Sequence, residues 1–220
     1  MRILHISDTH GTWPIPETDG YDVVVHSGDV LPNFSFGVSV VEVARQPLWI
    51  AKHAKDIPEG YRRTPVVVCL GNHDYVDPTP ALREAGIDAR LVQDEVVEVL
   101  GVRFWGHPWT PRFCDWNYNC SLEEMSRRLR PLHAALDDGR VDVLVSHGPM
   151  RRVLDRNRQG ERCGCPLLRD VLLTCGHLPK AMLCGHIHES AGVKDWARAG
   201  PNAARMIVSN AALTQRIVVV

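Results

Sequence analysis

Short runs of β-branched and aliphatic residues recur along the chain, separated by loops or by stretches of helical period. Arg2 to Ile6, Tyr21 to His26, Pro65 to Leu70, Glu95 to Leu100, Val102 to Trp105, Val141 to Val145, Lys180 to Cys184, Met206 to Val208 and Arg216 to Val220 read as strands. Several are apolar at every position, notably Val23-Val24-Val25, Val66-Val67-Val68 and Val143-Leu144-Val145, which marks strands buried on both faces. Such strands need helices over them. Val38 to Ala54, Pro80 to Ala85, Leu122 to Ala135 and Pro166 to Thr174 supply the pattern, the third opened by Ser121 with Glu124 three residues on, a capping box. Glu95 to Trp105 turns at Gly101 as a hairpin, and the last thirty residues read as further antiparallel strands. With no internal repeat or linker, the pattern predicts one layered α/β domain over residues 1–220, a two-sheet sandwich with outer helices. Gly106 to Asn119 and His147 to Gly164 lack strong periodicity, and loops of that length in a compact domain tend to be functional.

Composition narrows the picture. A chain of 220 residues can bury roughly 70% of its extended surface, enough for a core without disulfides. Lys plus Arg at 25 against Asp plus Glu at 26 leaves a formal charge of -1, which disfavours recruitment of nucleic acid or anionic membrane. No apolar run reaches the length of a membrane span. Seven cysteines, an odd number without paired spacing, and an opening without a signal-peptide core point to a reducing cytoplasm. Cys69 and Cys184 lie in apolar runs as small core residues, and Cys163-Gly164-Cys165 lacks the two-residue gaps of a zinc knuckle. Histidine stands out, with 11 in 220.

Their positions carry the chemistry. The run ending at Ile6 is followed by Asp8-Thr9-His10, and the run ending at His26 by Gly28-Asp29. Gly71-Asn72-His73-Asp74 follows Leu70, His147-Gly148 follows Val145, and Gly185-His186-Ile187-His188 follows Cys184. Five times a buried strand ends and a potential metal ligand follows within a few residues. In open α/β sheets ligands bind beyond the carboxyl ends of the strands, so the five loops are expected to converge. In extended chain, residues i and i+2 point the same way roughly 6.5 Å apart, so Asp8 with His10, and His186 with His188, can each face one site. Asn72 and His73 point apart, leaving one for metal and the other for substrate. Asp8, His10, Asp29, Asn72, His147, His186 and His188 are too many for one tetrahedral ion and suit two divalent ions about 3.5–4 Å apart. Two such ions against two carboxylates leave surplus positive charge, which favours a phosphate oxygen as substrate.

The ordered set Asp8-x-His10, Gly28-Asp29, Gly71-Asn72-His73-Asp74, His147-Gly148 and Gly185-His186-x-His188 resembles the calcineurin-like metallophosphoesterase superfamily, with no motif missing. His107-Pro108-Trp109-Thr110-Pro111 through Asp115-Trp116-Asn117, and Glu161-Arg162-Cys163-Gly164-Cys165, are similar to the metallophosphoesterase-domain-containing subfamily, itself similar to class III cyclic-nucleotide phosphodiesterases. The resemblance implies a four-layer αββα sandwich of two mixed sheets. It also implies a dinuclear centre, with Asp8, His10, Asp29 and His188 on one metal and Asp29, Asn72, His147 and His186 on the other. A metal-bridging hydroxide would attack phosphorus, and His73, oriented by Asp74, would protonate the leaving oxygen. Some members of the subfamily carry Gly where His186 stands and bind metal poorly; this chain keeps the His. The mixed N/O ligands suit Mn, Fe, Zn, Ni or Co.

His5 and His26 lie within strands as core or bracing groups, His26 for the Asp29 loop. Trp105, Trp109 and Trp116 pack their loop down or stack on substrate at its rim, so His107 and Trp109, with Arg151 from the arginine-rich loop after His147, are candidates for substrate contact. The expected activity is hydrolysis of a small phosphoester, a diester before a monoester on the subfamily resemblance. The alternatives are a phosphomonoesterase and a non-catalytic metal-binding scaffold of the same fold, for which a retained His73 has no use.

Overall fold

The structure, a computed structural model, describes residues 1–17, 19–35, 38–200 and 203–220. Two mixed sheets lie face to face. The first holds β1 (Arg2–Ile6), β2 (Val23–Ser27), β3 (Val66–Cys69) and β4 (Ala89–Leu91) in parallel, with β13 (Gln215–Val219) antiparallel beside β1. The second has the order β11 (Gly192–Arg198), β12 (Ala204–Asn210), β10 (Ala181–Cys184), β9 (Val143–Ser146), β6 (Val102–His107), β5 (Val96–Val99). Its four central strands are parallel and its two edges antiparallel. A short pair, β7 (Thr110–Pro111) and β8 (Asn119–Cys120), ties down the loop after β6.

The period of two along each strand sorts the core into three interfaces. Ile3, Val23, Val25 and Val67 of the first sheet meet Phe104, Val143, Val145, Ala181 and Leu183 of the second. Their immediate neighbours Leu4, Val24, Val66 and Val68 point the other way, onto α1 (Ser39–His53) and α2 (Thr79–Glu84) through Ile50 and Leu82. Trp105, Leu144, Met182 and Val208 likewise face α3 (Leu122–Asp137) and α4 (Pro166–Thr174) through Leu129, Leu132, Leu168 and Leu172. Three apolar interfaces separate four layers, the αββα arrangement expected from the sequence.

Local chemistry places the ends of these elements. Ser121 caps α3 by accepting from the Glu124 amide at 3.2 Å, as the capping box predicts. Leu100 (φ 51°) and Gly101 (φ 76°) form the two-residue turn between β5 and β6, with Val99 opposite Val102. β4 is not predicted by the pattern, because Ala89-Arg90-Leu91 is too short and mixed to show a period; pairing with β3 creates it. The last strands also divide, β11 and β12 going to the second sheet and β13 to the first, and β12 runs parallel to β10. That choice depends on partners distant in sequence.

Phe104 is fully buried where the two sheets meet. Phe104→Ala is expected to cost about 3–5 kcal/mol by chemical denaturation, the usual range for a buried aromatic. A loss under about 1 kcal/mol would show that the interface between the sheets does not depend on it.

Candidate active site

The loops after β1, β2, β3, β9 and β10 meet at one end of the sandwich, beyond the carboxyl ends of parallel strands of both sheets. Backbone hydrogen bonds fasten them to one another. Asp8 N donates to Gly28 O (2.9 Å), His10 N to Asp29 O (3.0 Å), His147 N to His107 O (3.0 Å) and Gly185 N to His147 O (2.9 Å). Asp8, His10, Asp29 and His186 all have positive φ, at 55°, 45°, 56° and 65°. Left-handed backbone at four non-glycine residues is strain held by the surrounding structure, a pattern that concentrates at functional sites.

Glycine makes the closeness possible at two of these loops. A Cβ on Gly28 would overlap His147 Nδ1, and one on Gly185 would overlap Asp8 Oδ2 and Ser7 Oγ.

The convergence yields two overlapping donor groups. Asp8, His10 and His188 present ligand atoms within 4.8 Å of one another, as do Asp8, Asp29 and His147. His188 Nε2 lies 3.1 Å from Asp8 Oδ1, and His147 Nε2 lies 3.5 Å from Asp29 Oδ2 and 2.9 Å from Asn72 Oδ1. The His186 ring stands 4.9 Å from that of His147, and its backbone N–H donates to Asp8. All seven expected ligands are therefore neighbours. Asp8 belongs to both groups, whereas the resemblance puts Asp29 in the shared position. These carboxylate, imidazole and amide donors fit divalent cations of the Mn, Fe, Co, Ni and Zn series.

Electrostatics point the same way. Asp8 and Asp29 are buried. Burial opposes their ionisation, yet a bond to His188 lowers the pKa of Asp8 and the charge of His147 lowers that of Asp29. Burial also opposes a proton on His147, but Asp29 and Asp8 override it and raise its pKa to about 9. His186, desolvated and beside His147, drops to about 3 and stays neutral. Two carboxylates enclosed in a dry space thus call for positive charge between them.

His73 is set apart from this cluster. Its Nε2 is 3.9 Å from Asp29 Oδ2, its ring packs on His10 (5.1 Å) and Trp116 (4.2 Å), and its side chain keeps 19% exposure. Its backbone N–H donates to Asp29 Oδ1 at 2.8 Å. Burial lowers its pKa, and Asp29 works in the opposite direction. The expectation that Asp74 orients this ring is corrected by the geometry. The Asp74 carboxylate accepts from the backbone N–H groups of Val30, Leu31 and Gly71, so it braces two loops, and the buried Nδ1 of His73 has no partner among the described residues.

The residue that holds the His73 loop carries no motif of its own. Gln46, buried on α1, donates to His73 O at 2.6 Å and accepts from Tyr75 N at 2.8 Å. The signal was an amide with helical spacing among apolar positions. His26 receives a hydrogen bond from Gly28 N at 3.3 Å and sits 2.9 Å from Thr9 Oγ1, which braces the loops carrying Asp8 and Asp29. His5 links Ser27 to Ser209, at 2.9 Å each, across the two sheets. The candidates for substrate contact separate. His107 is fully buried, and the Trp109 indole donates to Asp94 at 2.8 Å beneath Arg128, so neither lines the cavity beside the donors. Arg151 does line it.

Fold and site together define a two-sheet α/β protein that gathers divalent-cation donors at the carboxyl ends of its strands. The family model for calcineurin-like phosphoesterases matches residues 1–190, and the chain belongs to that family, whose members use divalent metals. It is similar to metallophosphoesterase domain-containing protein 1 of Homo sapiens and of Mus musculus, 28% identical to each over 87% of this chain, and spans 62% of their length. A solved crystal structure at 14% identity superposes with a TM-score of 0.56, covering 95% of this chain and 89% of that one, and shares the fold. No helix among the described residues is long and apolar enough to cross a membrane.

Asp29→Asn removes one of the two enclosed negative charges. The purified variant is expected to hold markedly less metal by elemental analysis while keeping its far-ultraviolet dichroism. Metal content equal to that of the parent would exclude Asp29 as a ligand.

Proposed function

We propose that the chain is a metal-dependent hydrolase of small phosphoesters, with phosphodiesters as its preferred substrates and His73 as the acid for the leaving oxygen. The observation that supports this most directly is the pairing of two cation donor groups around Asp8 with an imidazole that faces them without joining them. A purely binding scaffold needs the first but not the second. When bound, divalent ions supply Lewis acidity toward a phosphate oxygen and a nucleophilic water at neutral pH. The chain supplies the rest. Asp8, His10 and His188 form one side of the site, and Asp29, Asn72, His147 and His186 the other.

His73 would hold its proton at Nε2, the nitrogen on the Asp29 side, and give it to the departing oxygen as the P–O bond breaks. Gln46 and Trp116 hold that ring in place, one through the backbone carbonyl of His73 and one by a tilted ring contact at 4.2 Å. The diester preference rests on the subfamily resemblance of the motifs, and a cavity of about 780 Å³ beside His186 and His188 has room for a second ester arm. Seven free cysteines, five of them buried, are consistent with a reducing cytoplasm.

The reading is tested with metal-stripped protein re-supplied with Mn²⁺, Ni²⁺ or Zn²⁺. Bis-p-nitrophenyl phosphate, p-nitrophenyl phosphate and 2′,3′- and 3′,5′-cyclic nucleotides are the substrates, and diesters are expected to turn over faster than the monoester. No rate on any of them would leave the scaffold reading. His73→Ala should keep its metals and lose roughly 10²- to 10⁴-fold in turnover of the cyclic nucleotides, whose alkoxide leaving groups need a proton. The loss should be smaller on p-nitrophenyl esters. A turnover within a few-fold of the parent on every substrate would remove His73 from the reaction.

A further inference from the structure

The cavity of about 780 Å³ has His186 and His188 on its floor, Phe113 and Leu122 as an apolar wall, and Arg112 and Arg151 on two separate loops. Phe113 is 54% exposed and meets His186 edge-on at 5.3 Å, so about half of it remains accessible beside the cavity. The charges around this wall are unevenly satisfied. Glu161 accepts from Asn157 at 3.0 Å, Glu189 faces Arg158 at 3.7 Å, and Arg162 is spent on buried Asp155 at 2.7 Å. The guanidinium groups of Arg112 and Arg151 have no hydrogen bond or ion pair with any described residue. The first turns of α3 and α4 also reach the wall, through Leu122 and Pro166, and add the positive ends of two helix dipoles. The acids in the first turn of α3, Glu123 and Glu124, are paired with Arg127 and Arg128.

His73 and Trp116 do not line this cavity. In a diester the arm beside His73 departs, so the arm that fills the cavity is the one retained. We propose that the cavity binds the retained arm of a phosphodiester, and that Arg112 and Arg151 select arms ending in a second anionic group, a carboxylate or phosphate, carried on a short apolar spacer. The inference rests on the phosphodiester reading above. In the reaction a P–O bond forms from water and the bond to the departing arm breaks, that oxygen taking the proton. The retained arm stays on phosphorus and leaves with it as a monoester bearing two anionic groups.

Two p-nitrophenyl diesters that differ at one end test this: p-nitrophenyl 3-carboxypropyl phosphate and p-nitrophenyl butyl phosphate, assayed on the metal-loaded full chain. The carboxylate ester should be favoured about ten-fold in kcat/KM, the low end for a charge-assisted contact at a partly wet site. The double substitution Arg112→Gln with Arg151→Gln should bring that ratio close to one, and Arg112→Glu with Arg151→Glu should invert it. A parent ratio below about two, or a ratio unmoved in the Glu double variant, overturns the proposal. If neither ester is hydrolysed, the hydrolase reading fails, and the two intact esters become ligands for isothermal titration. Tighter binding of the carboxylate ester by the parent, lost in the Gln double variant, then upholds the charge selection; equal binding overturns it.

Discussion

Two carboxylates held out of water set the terms for the rest of this molecule. Asp8 and Asp29 are buried where the ends of two sheets meet, and neither could remain ionised there without compensation. Asp8 receives the Ser7 hydroxyl at 2.6 Å, the His186 backbone N–H and the His188 ring; Asp29 receives the His73 backbone N–H and faces His147. All but Ser7 come from other strand ends, after β3, β9 and β10, so satisfying the charges and assembling the site are one event. Strained backbone at the donors and glycine beside them follow from the same demand, since the groups must approach more closely than ordinary loops allow.

The sandwich meets that demand through rigidity. Strands buried on both faces cannot shift without repacking two interfaces, so their ends are fixed points from which short loops project. Polar braces then cross the layers. Gln46 reaches from an outer helix to the His73 loop, Asp74 ties that loop to the Val30 and Leu31 backbone, and His5 joins Ser27 to Ser209 across the inner interface. Ser27 in turn offers its carbonyl to His147 Nδ1 at 3.0 Å, which leaves Nε2 turned toward Asn72 and Asp29. These groups hold His73 and His147 in place.

The regions proposed to react and to select occupy separate sides of the same centre. His73, with Trp116 on its ring, stands at one side, and the cavity with Arg112, Arg151 and Phe113 opens at the other. The long loops after β6 and β9 build most of that cavity, and they are also the segments with the weakest periodicity. Freedom from a strand or helix pattern is what lets them present arginine and aromatic side chains to one space.

Much of this was legible in the chain itself. Runs such as Val66-Val67-Val68 announce a two-faced strand because burial on both sides removes alternation, and the four helices follow from apolar spacing and from Ser121 as a cap. Asp, His and Asn at successive strand ends were equally plain, since a parallel sheet sends all its carboxyl ends one way. Other features had no local trace. Ala89–Leu91 becomes a strand through its neighbour, Asp74 turns to backbone amides instead of the His73 ring, His107 and Trp109 fold inward, and the cavity wall joins residues from three connections, after β6, β9 and β10. Sequence thus determined which elements form and which side chains carry chemistry, because period and residue type are local. Tertiary structure alone decided which of those side chains face one another, because that depends on how two sheets stack and on contacts between segments up to 219 residues apart.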